Sequence, residues 1–121
     1  MLWLIQRQLK SKNVASRRKA VERLCGAPHP TALGALAEAL GDDDAEIRRL
    51  AATALGKLED EARIEPLLTA LRDRDADVQK AAIQGLKRAT GERVSAALLP
   101  LLRHANAGVR GCAVQVLEFI G

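Results

Sequence analysis

Aromatic side chains are nearly absent from this chain of 121 residues, which has no tyrosine, one tryptophan and one phenylalanine. A core without rings must be filled by Leu, Ala, Val and Ile. That suits closely packed helices better than a sheet, where aromatic and β-branched residues concentrate. The same scarcity removes the stacking platform that single-stranded nucleic acid needs. Long apolar runs are missing too, and none approaches the roughly 20 residues that span a bilayer. The opening MLWLIQRQLK has neither a basic leader nor a small-residue cleavage site, so no secretory signal is expected. A soluble, cytoplasmic protein is the default reading.

Residues that carry chemistry are also few. The two cysteines, Cys25 and Cys112, lie nearly three repeat periods apart. With stacked helices spaced by about 8–10 Å, they should lie well beyond the roughly 7 Å between Cα atoms that a disulfide tolerates. Reduced, partly buried thiols are expected. His29 and His104 have no Cys or carboxylate at ligand spacing, so no metal is expected. Ser11, Ser16, Thr90 and Ser95 sit near helix starts or turns, where capping accounts for them. Asp42, Asp43 and Asp44 form a run of acids that suits the positive end of a helix. There is no glycine-rich phosphate loop. Neither an enzyme nor a cofactor is indicated.

What the chain does have is a period of 31 residues. Asn13, Asp44, Asp75 and Asn106 fall on one such ruler, as do Ala20, Ala51, Ala82 and Ala113, and Leu24, Leu55, Leu86 and Leu117. A fixed period of this size marks a solenoid, whose units bury their apolar faces against their neighbours. The clearest unit spans residues 44–71. Asp44 caps a first helix, with Glu46 in its first turn at the positive end of the dipole. Ile47, Leu50, Ala51, Ala54, Leu55 and Leu58 follow at helical spacing as a buried stripe. A polar stretch at 59–61 breaks the pattern. A second helix then carries Ile64, Leu67, Leu68 and Leu71 on one face, with Pro66 tolerable near its first turn. Each unit is a helix A, a short turn and a helix B. Pro28-His29-Pro30 and Thr90-Gly91 mark the equivalent turns elsewhere. Pro100 stands inside a helix B, where it should kink the helix and free the carbonyl of Ala96.

The pattern D-x-x-[IV]-R-x-x-A-x-x-A-L-G-x-L followed by E-P-L-L-x-A-L, at residues 44–71, resembles the short HEAT-like repeats of the phycobilisome-lyase type. The resemblance implies an all-α, right-handed α-α superhelix of about eight helices in antiparallel pairs. One domain over 1–121 is expected, with half repeats at 1–10 and 106–121 around repeats 13–41, 44–72 and 75–103. It also implies a structural ladder in which the arginine column, Arg17, Arg48 and Arg110 with Gln79 as the exception, pairs with the capping column. The rungs expected involve Asp44, Arg48, Asp75 and Arg110. The family includes scaffolds, bilin-lyase subunits and a metal-dependent hydroxylase. The hydroxylase uses recurrent His-Glu pairs, and no His-Glu dipeptide occurs here.

Departures from the period point to function. Trp3 stands in the column of Gly34, Glu65 and Ala96, Phe119 in that of Gly26, Lys57 and Arg88, and Val116 in that of Arg23, Ala54 and Gly85. Apolar groups at polar or small columns suggest contact surfaces at the two ends. They could cap the core, meet further repeats, or let the half repeats complement one another between copies. The B-helix face, with Pro66, Ala70, Ala97 and Leu101, offers a shallow, weakly charged strip for a protein. Residues 1–23 carry seven basic side chains against one acid, a balance of +6 in a chain of net +4. Arg7, Lys10, Arg17 and Arg18 are therefore candidate phosphate contacts. The function expected is a non-enzymatic scaffold binding a protein partner. Nucleic-acid binding through the basic end is the alternative, and a subunit assisting a bilin-type lyase a weaker one.

Overall fold

The computed structural model describes residues 2–27, 29–89 and 91–120. The described residues hold eight α-helices and no strand: α1 (Leu2–Gln8), α2 (Val14–Gly26), α3 (Leu33–Ala39), α4 (Ala45–Lys57), α5 (Ile64–Ala70), α6 (Ala76–Arg88), α7 (Glu92–Leu98) and α8 (Ala107–Ile120). None is long and apolar enough to cross a membrane. The long A helices start at side-chain caps. Asn13 accepts from the Ser16 N–H, Asp44 from Ile47, Asp75 from Asp77 and Val78, and Asn106 from Gly108 and Val109. Each satisfies donors that the first helical turn would leave open. The B helices are short, and α3 and α5 are entered through single 3-10 turns at Pro30–Ala32 and Glu61–Arg63.

The A helices α2, α4, α6 and α8 stack in order, and each of α3, α5 and α7 packs against the A helix that follows it. One continuous core lies between the layers. Its largest fully buried members, Leu24, Leu36, Ile47, Leu55, Leu67, Leu71, Leu86 and Leu98, sit on the repeating columns. All ten apolar positions read in the 44–71 unit are buried, with Leu58 and Leu71 as the residues just after α4 and α5. Between α4 and α6 the backbones themselves meet: a Cβ built on Gly56 would stand 2.8 Å from the Gly85 Cα. Only glycine permits that approach.

Several local expectations change. Around Pro100 the α7 helix stops at Leu98 and continues as a 3-10 stretch, Leu99–Arg103. Pro100 stands in the first turn of that stretch, where N–H groups have no intrahelical partner, so its missing N–H costs no bond and a change of helix type replaces the kink. Gly91, in the only positive-φ conformation among the described residues (φ +139°), leads into α7. Thr90 and Pro28, invoked for the turns, lie outside the described residues. Ala70, Leu101 and Val116 are buried rather than available to a partner. Each lies three residues after an inward-facing residue, Leu67, Leu98 and Ala113, and so shares its face.

Candidate functional site

Two surfaces emerge from this packing: an edge where A helices begin, lined by arginines and carboxylates, and the grooves between B helices. On the first, Arg17 Nε meets Asp42 Oδ2 at 2.8 Å and Arg48 Nε meets Asp73 Oδ2 at 3.0 Å. The rungs therefore reach the residue two places before the cap, not the cap itself. Asp75 spends its side-chain acceptor on two backbone donors of α6. Asp44 pairs instead with Arg18, at 3.2 Å. The aspartates of the rungs have a second duty, because Asp42 and Asp73 each accept the N–H of the capping residue at 2.9 Å. Ser11 and His104, on the same 31-residue column, do likewise for Asn13 and Asn106. The spacing D-x-D before α4 and α6 was the signal for this column.

One rung differs as a pair. Gln79 replaces the arginine and His104 the facing aspartate, and Gln79 Nε2 donates to Leu71 O at 3.1 Å. Arg110 keeps the arginine's local contacts, with Nη1 donating to the carbonyls of His104 and Ala105 at 2.7 and 3.0 Å. It has no carboxylate partner among the described residues.

The proposed phosphate contacts divide. Arg17 and Arg18 are committed to Asp42 and Asp44. The bond to Asp44 holds the Arg18 pKa above its ordinary value, and the same bond first, with the Ile47 N–H, holds the Asp44 carboxyl below its own. Arg7 and Lys10 remain exposed on the rim of a groove between α1 and α3 of about 500 Å³, whose other wall carries Glu38 and Asp42.

A second groove, about 470 Å³, lies between α3 and α5. Ala37, Leu40, Gly41 and Pro66 line it with Glu38, Glu65 and Thr69. Both glutamates are exposed, and neither forms an ion pair among the described residues. Pro66 and Ala97 are half-buried, so the strip is present on α5 and α7 but narrower than its sequence suggested. At the ends, Trp3 and Phe119 are exposed, and Lys87 Nζ stands 5.3 Å from the Phe119 ring.

Helical pairs at fixed period, rungs between successive A helices and a shared core are the anatomy of a known repeat. The profile of the family described as HEAT repeats matches residues 1–87 and 64–121. The chain belongs to this family. Among solved structures, the HEAT-repeat chain is similar to the complex of CpcE and CpcF of phycocyanin lyase from Nostoc sp. PCC7120, at 25% identity and a TM-score of 0.78, covering 100% of this chain and 53% of that one. It is also similar to human deoxyhypusine hydroxylase in complex with glycerol (24%, TM-score 0.77, covering 99% and 43%). A designed armadillo repeat protein in complex with the peptide (KR)4 is a third (21%, TM-score 0.65, covering 97% and 63%). The HEAT-repeat chain thus spans about half the length of these structures. A search of curated proteins gave no match.

The HEAT-repeat chain brings few reactive groups together. Among the described residues no three His, Cys, Asp or Glu side chains converge as metal ligands would. Burial raises the thiol pKa of Cys25 and of Cys112, away from the thiolate a nucleophile requires. Sequence reasoning missed Arg63, which is buried beside Glu59, Glu61 and Arg88 with its Nε unpartnered. Its column holds Ala32 and Val94, so the period itself marks it as an exception.

Proposed function

We propose that this HEAT-repeat chain is a non-enzymatic scaffold that binds a protein along the grooves between its B helices. The supporting observation is the α3–α5 groove, where Glu38 and Glu65 stand unpaired above an apolar floor of Ala37, Leu40 and Pro66. Unpaired rim charges over apolar surface suit selection and steering of a partner rather than bond chemistry. The adjoining groove adds Arg7 and Lys10, so the partner presents basic groups toward α3–α5 and an acidic or polar group toward α1. Engagement of Arg17 and Arg18 in ion pairs removes two of the four cations that nucleic-acid binding would use.

Parallel capture from the source cell with the wild-type chain and with Glu38→Lys/Glu65→Lys, both folded by circular dichroism, tests this reading. A protein retained by the first and lost by the second is expected. Retention by both places the partner elsewhere. Salt-sensitive binding of generic duplex, abolished by Arg7→Glu/Lys10→Glu, would replace the reading with nucleic-acid binding. A role assisting a bilin-type lyase is a second reading, supported by the likeness to the CpcE–CpcF complex along the whole of this chain.

A further inference from the structure

Two charged side chains are buried among the described residues, Arg48 and Arg63, at 4% and 8% exposure. A guanidinium withdrawn from water needs its donors filled, because an unpaired buried cation is costly. Arg48 meets that need: Nη1 donates to the carbonyls of Asp42 and Asp43, and Nε and Nη2 donate to Asp73. Half-buried Arg17 repeats the pattern, with Nη1 on Ser11 O at 2.7 Å and the Nε–Nη2 edge on Asp42. In both, a local carbonyl fixes one end of the fork and a carboxylate of the next repeat takes the other edge.

Arg63 has the first half of this arrangement alone. Nη1 donates to Asp60 O at 3.0 Å, but Nε is buried without a partner. No carboxylate pairs with the side chain among the described residues. Repeats 13–41 and 75–103 flank this position, so the unfilled edge belongs to the interior of the array and not to an end of it. Arg63 lines a cavity of about 190 Å³ with Glu59, Glu61, Ile64, Arg88 and Ala89, room for about six water molecules. Arg88, at the end of α6, brings a second guanidinium with no ion pair among the described residues. Glu61 is taken by Arg93 at 3.1 Å. Two unpaired cations therefore meet one unpaired acid, Glu59.

We propose that the cavity at Arg63 binds a carboxylate, carried by a small organic acid or by an acidic side chain of a protein. The planar group matches the free Nε–Nη2 edge as Asp73 matches that of Arg48. Glu59 and Glu61 in the same lining disfavour a doubly charged phosphate. Both Glu59 and Arg88 are exposed, so their side chains can swing clear as the carboxylate reaches Nε. This site is separate from the B-helix grooves and does not depend on what they bind.

Titration of the isotope-labelled chain, followed at the Arg63 Nε–H and at the backbone amides of Ile64 and Ala89, tests the proposal. Acetate at fixed ionic strength is expected to shift all three saturably, and chloride to shift none. Arg63→Leu abolishes the shift at both amides. The column is apolar in the flanking repeats, at Ala32 and Val94, and an apolar replacement of a buried ion is tolerated. Arg88→Gln leaves Arg63 in place and weakens binding by up to about fivefold. A capped Gly-Glu-Gly peptide that binds at least as tightly as acetate assigns the carboxylate to a protein side chain; a weaker or excluded peptide assigns it to a small acid. No saturable shift with either probe, a shift that survives Arg63→Leu, or phosphate binding as tight as acetate overturns the proposal. A response seen in Glu59→Gln but not in wild type would make Glu59 itself the occupant and overturn it equally.

Discussion

The joints from α2 to α4 and from α4 to α6 are each tied by an arginine and an aspartate, while the joint from α6 to α8 has Gln79 and His104 in the same two places. Both members change together, and the reason is electrostatic. A buried cation left facing a neutral ring, or a carboxylate facing an amide, would lose its compensation, so a single replacement is more costly than a double one. The backbone duty is retained throughout: His104 still accepts the N–H of the capping residue, as Asp42 and Asp73 do. The third joint therefore keeps its local turn but lacks the arginine–aspartate rung, and is held by packing together with Lys87 over the Phe119 ring. Two joints should respond to charge substitutions in these two columns, and one should not.

The largest break in this comparison comes from Arg48→Ala. It strands Asp73, opens two carbonyls, and should cost about 3–5 kcal/mol, whereas Gln79→Ala should cost about 1 kcal/mol. Urea unfolding of both variants checks the ratio, and equal losses would deny the ladder its role. Next comes Gly56→Ala. Alanine is intrinsically better in a helix, yet its methyl meets the Gly85 backbone, which cannot move aside as a flexible side chain would. Overpacking of about 1–3 kcal/mol should prevail, measured against Gly111→Ala on α8. Nothing lies near a Cβ there, and a gain of about 0.5–1 kcal/mol is expected. Restoring the missing rung with Gln79→Arg and His104→Asp together should add up to about 1 kcal/mol, with either change alone neutral or harmful.

The smallest effect concerns pH. Asp44 and Glu46 titrate below their ordinary values because of bonds to Arg18 and Arg49. A depressed carboxyl stabilises the fold above its unfolded pKa, near 3.9 for aspartate, and that contribution is lost as pH falls through the lower folded value. Melting temperature followed from pH 5 downward should fall less for Asp44→Asn than for wild type, because asparagine still caps α4 without the charge. An identical acid response in both would remove Asp44 from the account.

The regular parts of the molecule were legible because each column repeats the same physical demand. The stripe from Ile47 to Leu58, the caps at Asn13, Asp44, Asp75 and Asn106, and the pairing of helices could all be read from spacing. The rungs were misassigned by two residues because Asp42 and Asp44 are both acids before the same helix, and only geometry separates capping from cross-repeat pairing. Ala70, Leu101 and Val116 looked available because helical spacing alone does not show which neighbour covers a column. The free carboxylates of Glu38 and Glu65 were not singled out at all. They sit in different repeats and in columns four residues apart on the 31-residue ruler, and only the packing of α3 beside α5 makes them neighbours.

The contact of Gly56 with Gly85 has a consequence beyond its local fit. Two stacked units turn relative to one another about their point of nearest approach, and this one lies between the middle two long helices. Everything on either side swings with it, so the spacing of the outer grooves is geared to a contact that touches neither. A single methyl at this pivot would alter the pitch of the array, and with it the distance a partner must reach from Arg7 to Ala97.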